Sequence, residues 1–212
     1  MGRTIFVGDI HGCSAEFESL LEKLKVSSAD QLVSVGDLIC KGPDSGGVMD
    51  LAMSLPNLRC VVGNHEARYL RYWRAGRRPT LKSHDKKTVR QLKPRYAEYM
   101  SYIASWPLFL SLRDALVVHA GLRPGVPVDK QELWDLTELR SVGPKFRPWY
   151  EWYKNGKPAI FGHWVRRTPL VTKHAVGLDT GCVYGGVLSA YVLPEGKITS
   201  VKARKVYHRR KW

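Results

Sequence analysis

The sequence lacks the marks of a secreted, membrane-embedded or zinc-ribbon protein. Its four cysteines, Cys13, Cys40, Cys60 and Cys182, lie far apart and form no CxxC pair. That argues against a disulfide framework and for free thiols in a reducing compartment. No apolar run approaches the roughly 18 residues of a membrane span. The start, MGRTIFVGDI, enters a strand pattern almost at once, and no signal or transit peptide is legible. The expectation is a cytoplasmic protein with no membrane partner. There are no repeats, low-complexity tracts or linkers. Acid is scarce as well: 19 Asp and Glu face 34 Lys and Arg, a net charge of +15.

What is present suits one folded unit. At 212 residues with 44% hydrophobic and 25% charged residues, the chain can bury one sizeable core. The expectation is a single domain over 1–212. The basic excess is uneven. Residues 67 to 95 hold eleven Lys or Arg and one acid, Asp85, and the end, KARKVYHRRKW, is basic too. A basic helical insertion at about 67–106, interrupted at Pro94, and a basic tail at about 202–212 are therefore expected. They are either solvated faces with a frayed terminus or a surface for RNA or polyphosphate.

Pattern supplies the fold class. TIFVGD, QLVSVGD and NLRCVVGN are short apolar runs, each ending in Gly-Asp or Gly-Asn. Each is followed by a helical stretch; in the first, Phe17, Leu20, Leu21 and Leu24 share a face and Ser14 is placed to cap. LFLSLRDALVVHAGL reads as two strands around Arg113–Asp114, QELWDLTELR as a short helix, and LSAYVLPEGKITSVKA as a hairpin. Strands alternating with helices predict an α/β fold, with polar loop residues gathered at the strands' carboxyl ends.

Those loops carry metal-binding residue types: Asp9 and His11 in GDIHG, Asp37 in GDLIC, Asn64 and His65 in GNHE, His119 in VVHAG and His163 in FGHW. A lone histidine after a strand is more often a satisfied polar residue. Several such residues, each after an apolar run and beside a glycine, point to one site. Mixed Asp, His and Asn donors suit borderline divalent ions, and a carboxylate can bridge two of them for phosphoryl chemistry.

GDIHG, GDLICKGP, GNHE, HAG and GH, in this order, resemble the phosphoprotein phosphatase superfamily of binuclear metallophosphoesterases. Lys41 within GDLICKGPDS, together with LDTGCVYGG at 178 to 186, is similar to the ApaH-like branch. The resemblance implies a calcineurin-like sandwich of two mixed β-sheets flanked by helices. It implies two divalent ions, manganese first, with iron, zinc, cobalt or magnesium as alternatives. Asp9, His11 and Asp37 would hold one ion, with Asp37 bridging to a second held by Asn64, His119 and His163. A metal-bridging hydroxide would be the nucleophile and His65 the general acid, oriented by Asp9 or another carboxylate.

The substrate implied is a nucleotide polyphosphate: a dinucleoside polyphosphate such as diadenosine tetraphosphate, or the chemically equivalent 5′ cap of RNA. A protein phosphatase or a polyphosphatase of the same superfamily is the alternative. Lys41 stands where the family usually carries arginine. It supplies a point charge without a fork, which suits a phosphate chain better than a single ester. Val62 stands where some relatives have a second arginine, so Arg140 or Arg123 would supply that charge. Tyr184 is expected to line the cleft, and Trp164 to pack in the core rather than stack on a base. Glu66 is expected to serve the dipole of its helix, and His174, without a glycine context, to lie outside the site.

Overall fold

In the computed structural model, which describes residues 2–77, 82–154 and 156–209, the first part of the chain repeats one unit three times. Strand β1 (Thr4–Val7) leads to helix α1 (Ser14–Leu24), β2 (Gln31–Ser34) to α2 (Ser45–Ser54), and β3 (Leu58–Cys60) to α3 (Asn64–Arg74). These strands pair in parallel, so the three Gly-Asp and Gly-Asn loops leave the same edge. There follow α4 (Ser83–Leu92), α5 (Tyr96–Ala104), β4 (Phe109–Ser111), β5 (Leu116–Val118) and α6 (Leu133–Glu138). The chain ends with a small pair, β6 (Ser141–Val142) and β7 (Arg147–Pro148), then β8 (Ala159–Phe161), β9 (Leu170–Val171), β10 (Ala175–Gly177), β11 (Val187–Leu193) and β12 (Lys197–Lys202).

Two mixed sheets result. One runs β12-β11-β1-β2-β3 and the other β4-β5-β8-β10-β9. Strand alternation builds the layers, because successive side chains point to opposite faces. Phe6 and Val33 meet Val117, Ile160 and Val176 between the sheets. Ile5, Val7 and Leu32 point the other way, under Phe17, Leu20, Met49 and Tyr69 of the helices. On the far side, Leu116, Val118, Ala159 and Phe161 pack against Trp149 and Leu136. Truncating one of these fully buried aliphatic side chains to alanine would cost about 2–5 kcal/mol.

Three local expectations are refined. Ser14 is the first residue of α1 rather than its cap; Cys13 holds the cap position with no side-chain cap, and Ser14 Oγ instead donates to Asp44. Pro94 does interrupt the basic helical stretch, at a short 3₁₀ turn over Lys93–Arg95. Beyond it, α5 buries Tyr99, Met100 and Ile103 in the helix-side core, since its apolar residues fall on one face. The tail is docked as far as it is described: Tyr207 and His208 donate backbone N–H groups to the Val183 carbonyl, and Tyr207 Oη donates to Glu16. Residues 78–81 of the basic stretch and 210–212 of the tail lie outside the described residues. Cys13, Cys40, Cys60 and Cys182 are all free and buried. Among the described residues no helix is long and apolar enough to cross a membrane.

Candidate active site

The loops leaving β1, β2, β3, β5 and β8 converge at the junction of the two sheets. Asp37 is central. Its Oδ2 lies 3.6 Å from His11 Nε2 and 3.5 Å from His119 Nε2. Asn64 Oδ1 lies 3.1 Å from His119 Nε2 and 3.3 Å from His163 Nδ1. Asp9 accepts the backbone N–H of His163 at 3.2 and 3.1 Å. Its carboxylate also belongs to one tight group with Asp37 and His119, while His11, Asp37 and His65 form another. All six residues expected to hold metal are thus brought together.

The donor set fits divalent cations. His119 Nδ1 faces the Val35 carbonyl at 2.8 Å, and His11 Nδ1 faces the Ile39 carbonyl at 3.2 Å. Burial, first among the causes, lowers the pKa of both rings and keeps them neutral. A neutral ring that donates from Nδ1 presents a bare lone pair at Nε2. The lone pair of His119 faces the oxygens of Asp37 and Asn64, acceptor against acceptor, while that of His11 meets both Asp37 and the Lys41 ammonium. Burial also pushes the Asp37 carboxyl up to about 7 and raises Asp9, which the nearby charges of Asp179 and Asp37 raise further. Buried acceptors this close repel one another, and a shared divalent cation relieves them. His163 Nε2 is likewise buried with no hydrogen-bond partner among the described residues, the Glu138 carboxylate standing 3.9 Å away.

The backbone is bent to make this geometry. His11, Asp37, Cys40, Lys41 and His163 all have positive φ, between 50° and 83°. Such conformations are costly for non-glycine residues and concentrate at functional sites. Two glycines leave room for the carboxylates: a Cβ at Gly162 would fall 1.9 Å from Asp9 Oδ1, and one at Gly63 would fall 2.2 Å from Asp37 Oδ1. Glu66 does more than face a helix dipole. Its carboxylate accepts the N–H groups of Asp37, Ile39 and Gly63, so it braces the bent Asp37 loop against α3.

Around this centre the expected phosphate-binding groups are unequal. Lys41 Nζ lies 3.0 Å from His11 Nε2 and 5.5 Å from the centre of the Tyr184 ring. Burial works against its charge, but Asp37 and Tyr184 outweigh that and raise its pKa. Lys41 is therefore a held ammonium, and Tyr184 is part of what holds it. Arg140 is exposed; its charge, after burial and His119, is among those lowering the pKa of His163 to about 2. Arg123 is engaged elsewhere, forked onto Asp135. Trp164 is partly buried under the Arg166 guanidinium. His174 sits in the turn between β9 and β10, bonded to Thr172.

His65 is buried beside this set, its ring 5.0 Å from that of His11, and its backbone N–H donates to Asp37. Its pKa is lowered by burial first, then by Lys41 and His11. The side chain meeting its Nδ1 is Arg68, at 3.4 Å, not Asp9, whose contacts run to His163. Arg68 is forked onto Asp85, a fully buried carboxylate that also accepts from Tyr69 and the Lys82 backbone. The lone acid of the basic stretch thus aims an arginine at His65. Asp179, buried near Asp9 and Asp37, is a further carboxylate that the LDTG turn signals without assigning.

From Asn64, His65 and Lys41 an open cleft of about 1230 Å³ runs outward between α3, the Ala104–Leu108 segment and α6. It exceeds the 300–1,000 Å³ or so of a typical small-molecule pocket. A single phosphate ester does not need that space.

The family described as Calcineurin-like phosphoesterase matches residues 2–198. A protein of Oceanobacillus iheyensis named Bis(5′-nucleosyl)-tetraphosphatase PrpE [asymmetrical] is 30% identical, over 95% of this chain and 92% of its own. A Bis(5′-nucleosyl)-tetraphosphatase, symmetrical, of Vibrio campbellii is 25% identical over 88% and 93%. A solved structure provisionally named a diadenosine tetraphosphatase superposes with a TM-score of 0.81 at 34% identity, covering 95% of this chain and 94% of its own. A family of this kind works with divalent metal ions, and the donor set here fits them. The chain belongs to the calcineurin-like phosphoesterases and is a phosphatase of the metallophosphoesterase type.

Proposed function

We propose that this phosphatase hydrolyses a phosphoanhydride bond in a dinucleoside polyphosphate, with diadenosine tetraphosphate as the reference substrate. The observation that carries the reading is continuity: the cluster around Asp37 opens directly into a long cleft whose near end holds Lys41 and His65. The names of the relatives support the same substrate class.

Asp9, His11 and Asp37 would hold one divalent ion, and Asn64, His119 and His163, with Asp37 shared, a second. When bound, two such ions activate the attacking water and neutralise charge on the phosphoryl group. The chain's own residues do the rest. Lys41 grips phosphate oxygens from a fixed position, braced by Tyr184. His65, a neutral ring in the free protein, would be protonated beside the negative charge of a bound phosphate and give that proton to the leaving oxygen, a contribution of about 10²–10⁴-fold. Arg68, fixed and neutralised by Asp85, orients the His65 ring. Glu66 keeps the Asp37 loop in its bent form. Manganese is the ion we expect to support turnover best, and the whole chain acts as one domain.

The test is a substrate panel with manganese and with zinc: diadenosine tetraphosphate, capped RNA, inorganic polyphosphate and a phosphopeptide. Preference for the dinucleotide is the expected result. Preference for the phosphopeptide would make the chain a protein phosphatase instead. The RNA arm also tests the basic surface, because phosphate contacts there would make capped RNA cleavage fall steeply with added salt.

A further inference from the structure

The cleft lining combines basic and apolar side chains. Arg68, Arg71 and Arg74 follow His65 at three-residue intervals along α3, and Lys82 lines the same cleft. From Arg68 to Arg74 the helix axis advances about 9 Å, so the guanidinium groups lead away from the centre in steps. Arg68 is neutralised by Asp85, but Arg71 and Arg74 are exposed. Among the described residues lining the cleft, Glu138 is the one acid. The rest of the lining is largely apolar, including Leu70 of α3, Trp106, Leu108, and Leu133 and Trp134 of α6. Trp134 is 55% exposed and Leu133 52% exposed. A six-residue helix leaves two large apolar side chains in solvent, in the same cleft as three arginines of α3, and adjacent exposed apolar groups of this kind mark a binding surface.

A ligand matching this surface is anionic along its length and carries a flat aromatic group at its far end. That is the chemistry of a nucleotide. Resting on the dinucleoside polyphosphate reading, we propose that this cleft is the subsite for the distal nucleotide, the one not attacked. Arg71 and Arg74 contact its phosphates, and the Trp134 indole stacks on its base. This subsite also supplies the charge that Val62, itself in the cleft wall, does not. It makes Trp134 a specificity-determining residue: it favours substrates with a second nucleoside and is indifferent to small monoesters.

The experiment uses the full chain loaded with metal and the variants Trp134→Ala, Trp134→Phe and Arg71→Ala/Arg74→Ala. All three residues are exposed, so each variant should fold. Stacking of a base on an aromatic side chain predicts that Trp134→Ala lowers kcat/KM on diadenosine tetraphosphate by roughly tenfold, chiefly through KM. The double arginine variant should do the same, Trp134→Phe should recover most of the loss, and p-nitrophenyl phosphate turnover should stay within about twofold of wild type throughout. Equal losses on both substrates, no loss on either, or a loss confined to a phosphopeptide would overturn the subsite. Calorimetric titration with a non-hydrolysable ATP analogue reads the subsite apart from turnover. Weaker binding by Trp134→Ala supports it, and unchanged binding overturns it. A wild type that cleaves p-nitrophenyl phosphate but leaves diadenosine tetraphosphate intact would instead refute the functional reading on which the subsite rests.

Discussion

The imidazole of His119 donates from Nδ1 to the backbone carbonyl of Val35 at 2.8 Å. This bond crosses the sandwich: His119 follows β5 of one sheet, and Val35 follows β2 of the other, two residues before Asp37. It fixes the tautomer of His119 and ties it to the loop that carries Asp37. Such outer contacts orient metal-binding histidines and raise their basicity. The centre is thus assembled by the packing of the two sheets and not by any one loop.

Asp37→Asn should abolish turnover and lower bound metal at both positions if, as proposed, one carboxylate serves both. Gly162→Ala should act on metal content through a different route, since its Cβ would displace Asp9. Elemental analysis of purified protein checks both. Two full-occupancy ions in Asp37→Asn would show that Asp37 is not shared.

His65→Asn should keep both ions and lose rate. The loss should approach the general-acid contribution of about 10²–10⁴-fold for a poor alkoxide leaving group and be much smaller for nitrophenolate. Leaving-group dependence is the measurement; equal losses would remove the proton-donor role.

How much of this was legible in the residues follows from which forces are local. The Gly-Asp and Gly-Asn loops could be read because apolar strand runs end there and a parallel sheet must gather its loop ends on one edge. The six donors were accordingly placed together. Glu66 reads in sequence only as a helix-start acid, because two of its three N–H partners, Asp37 and Ile39, belong to a loop 29 and 27 residues earlier in the chain. Positive φ at His11, Asp37, Lys41 and His163 was invisible, since nothing in those side chains asks for it and the surrounding packing imposes it. Asp85 looked like a stray acid in a basic run; its pairing with Arg68 depends on how α4 settles on α3. Trp134 gave no signal, as exposure is decided by tertiary packing.

Lys41→Ala should harm diadenosine tetraphosphate cleavage far more than p-nitrophenyl phosphate cleavage, because a point charge without a fork suits a chain of phosphates. Lys41→Arg should recover the monoester reaction at least as well. Specificity constants on both substrates, compared as transition-state free energies, decide it. A uniform loss would confine Lys41 to the attacked phosphate.

Stability should depend on acid through Asp30. Its carboxylate accepts from Arg3 Nε at 2.9 Å and Nη2 at 2.7 Å, and from the Ser27 N–H at 2.9 Å. The Arg3 bond, outweighing burial, holds its pKa below the usual carboxylate range. A depressed folded pKa adds stability that is fully present above the unfolded value of about 3.9 and is lost as pH falls towards the folded one. Asp30→Asn should therefore cost about 1.5–3 kcal/mol at neutral pH, and its difference from wild type should shrink below about pH 4. Urea unfolding of the pair across pH checks this; a gap that does not change with pH would contradict it.

Chromatographic analysis of products from diadenosine tetraphosphate, incubated with metal-loaded wild type, tests the function most directly. Adenine nucleotides should appear, ATP with AMP for asymmetrical cleavage or two ADP for symmetrical cleavage. The specificity constant should be at least roughly tenfold above that for a phosphopeptide at equal metal loading. Intact dinucleotide beside a cleaved phosphopeptide would contradict it.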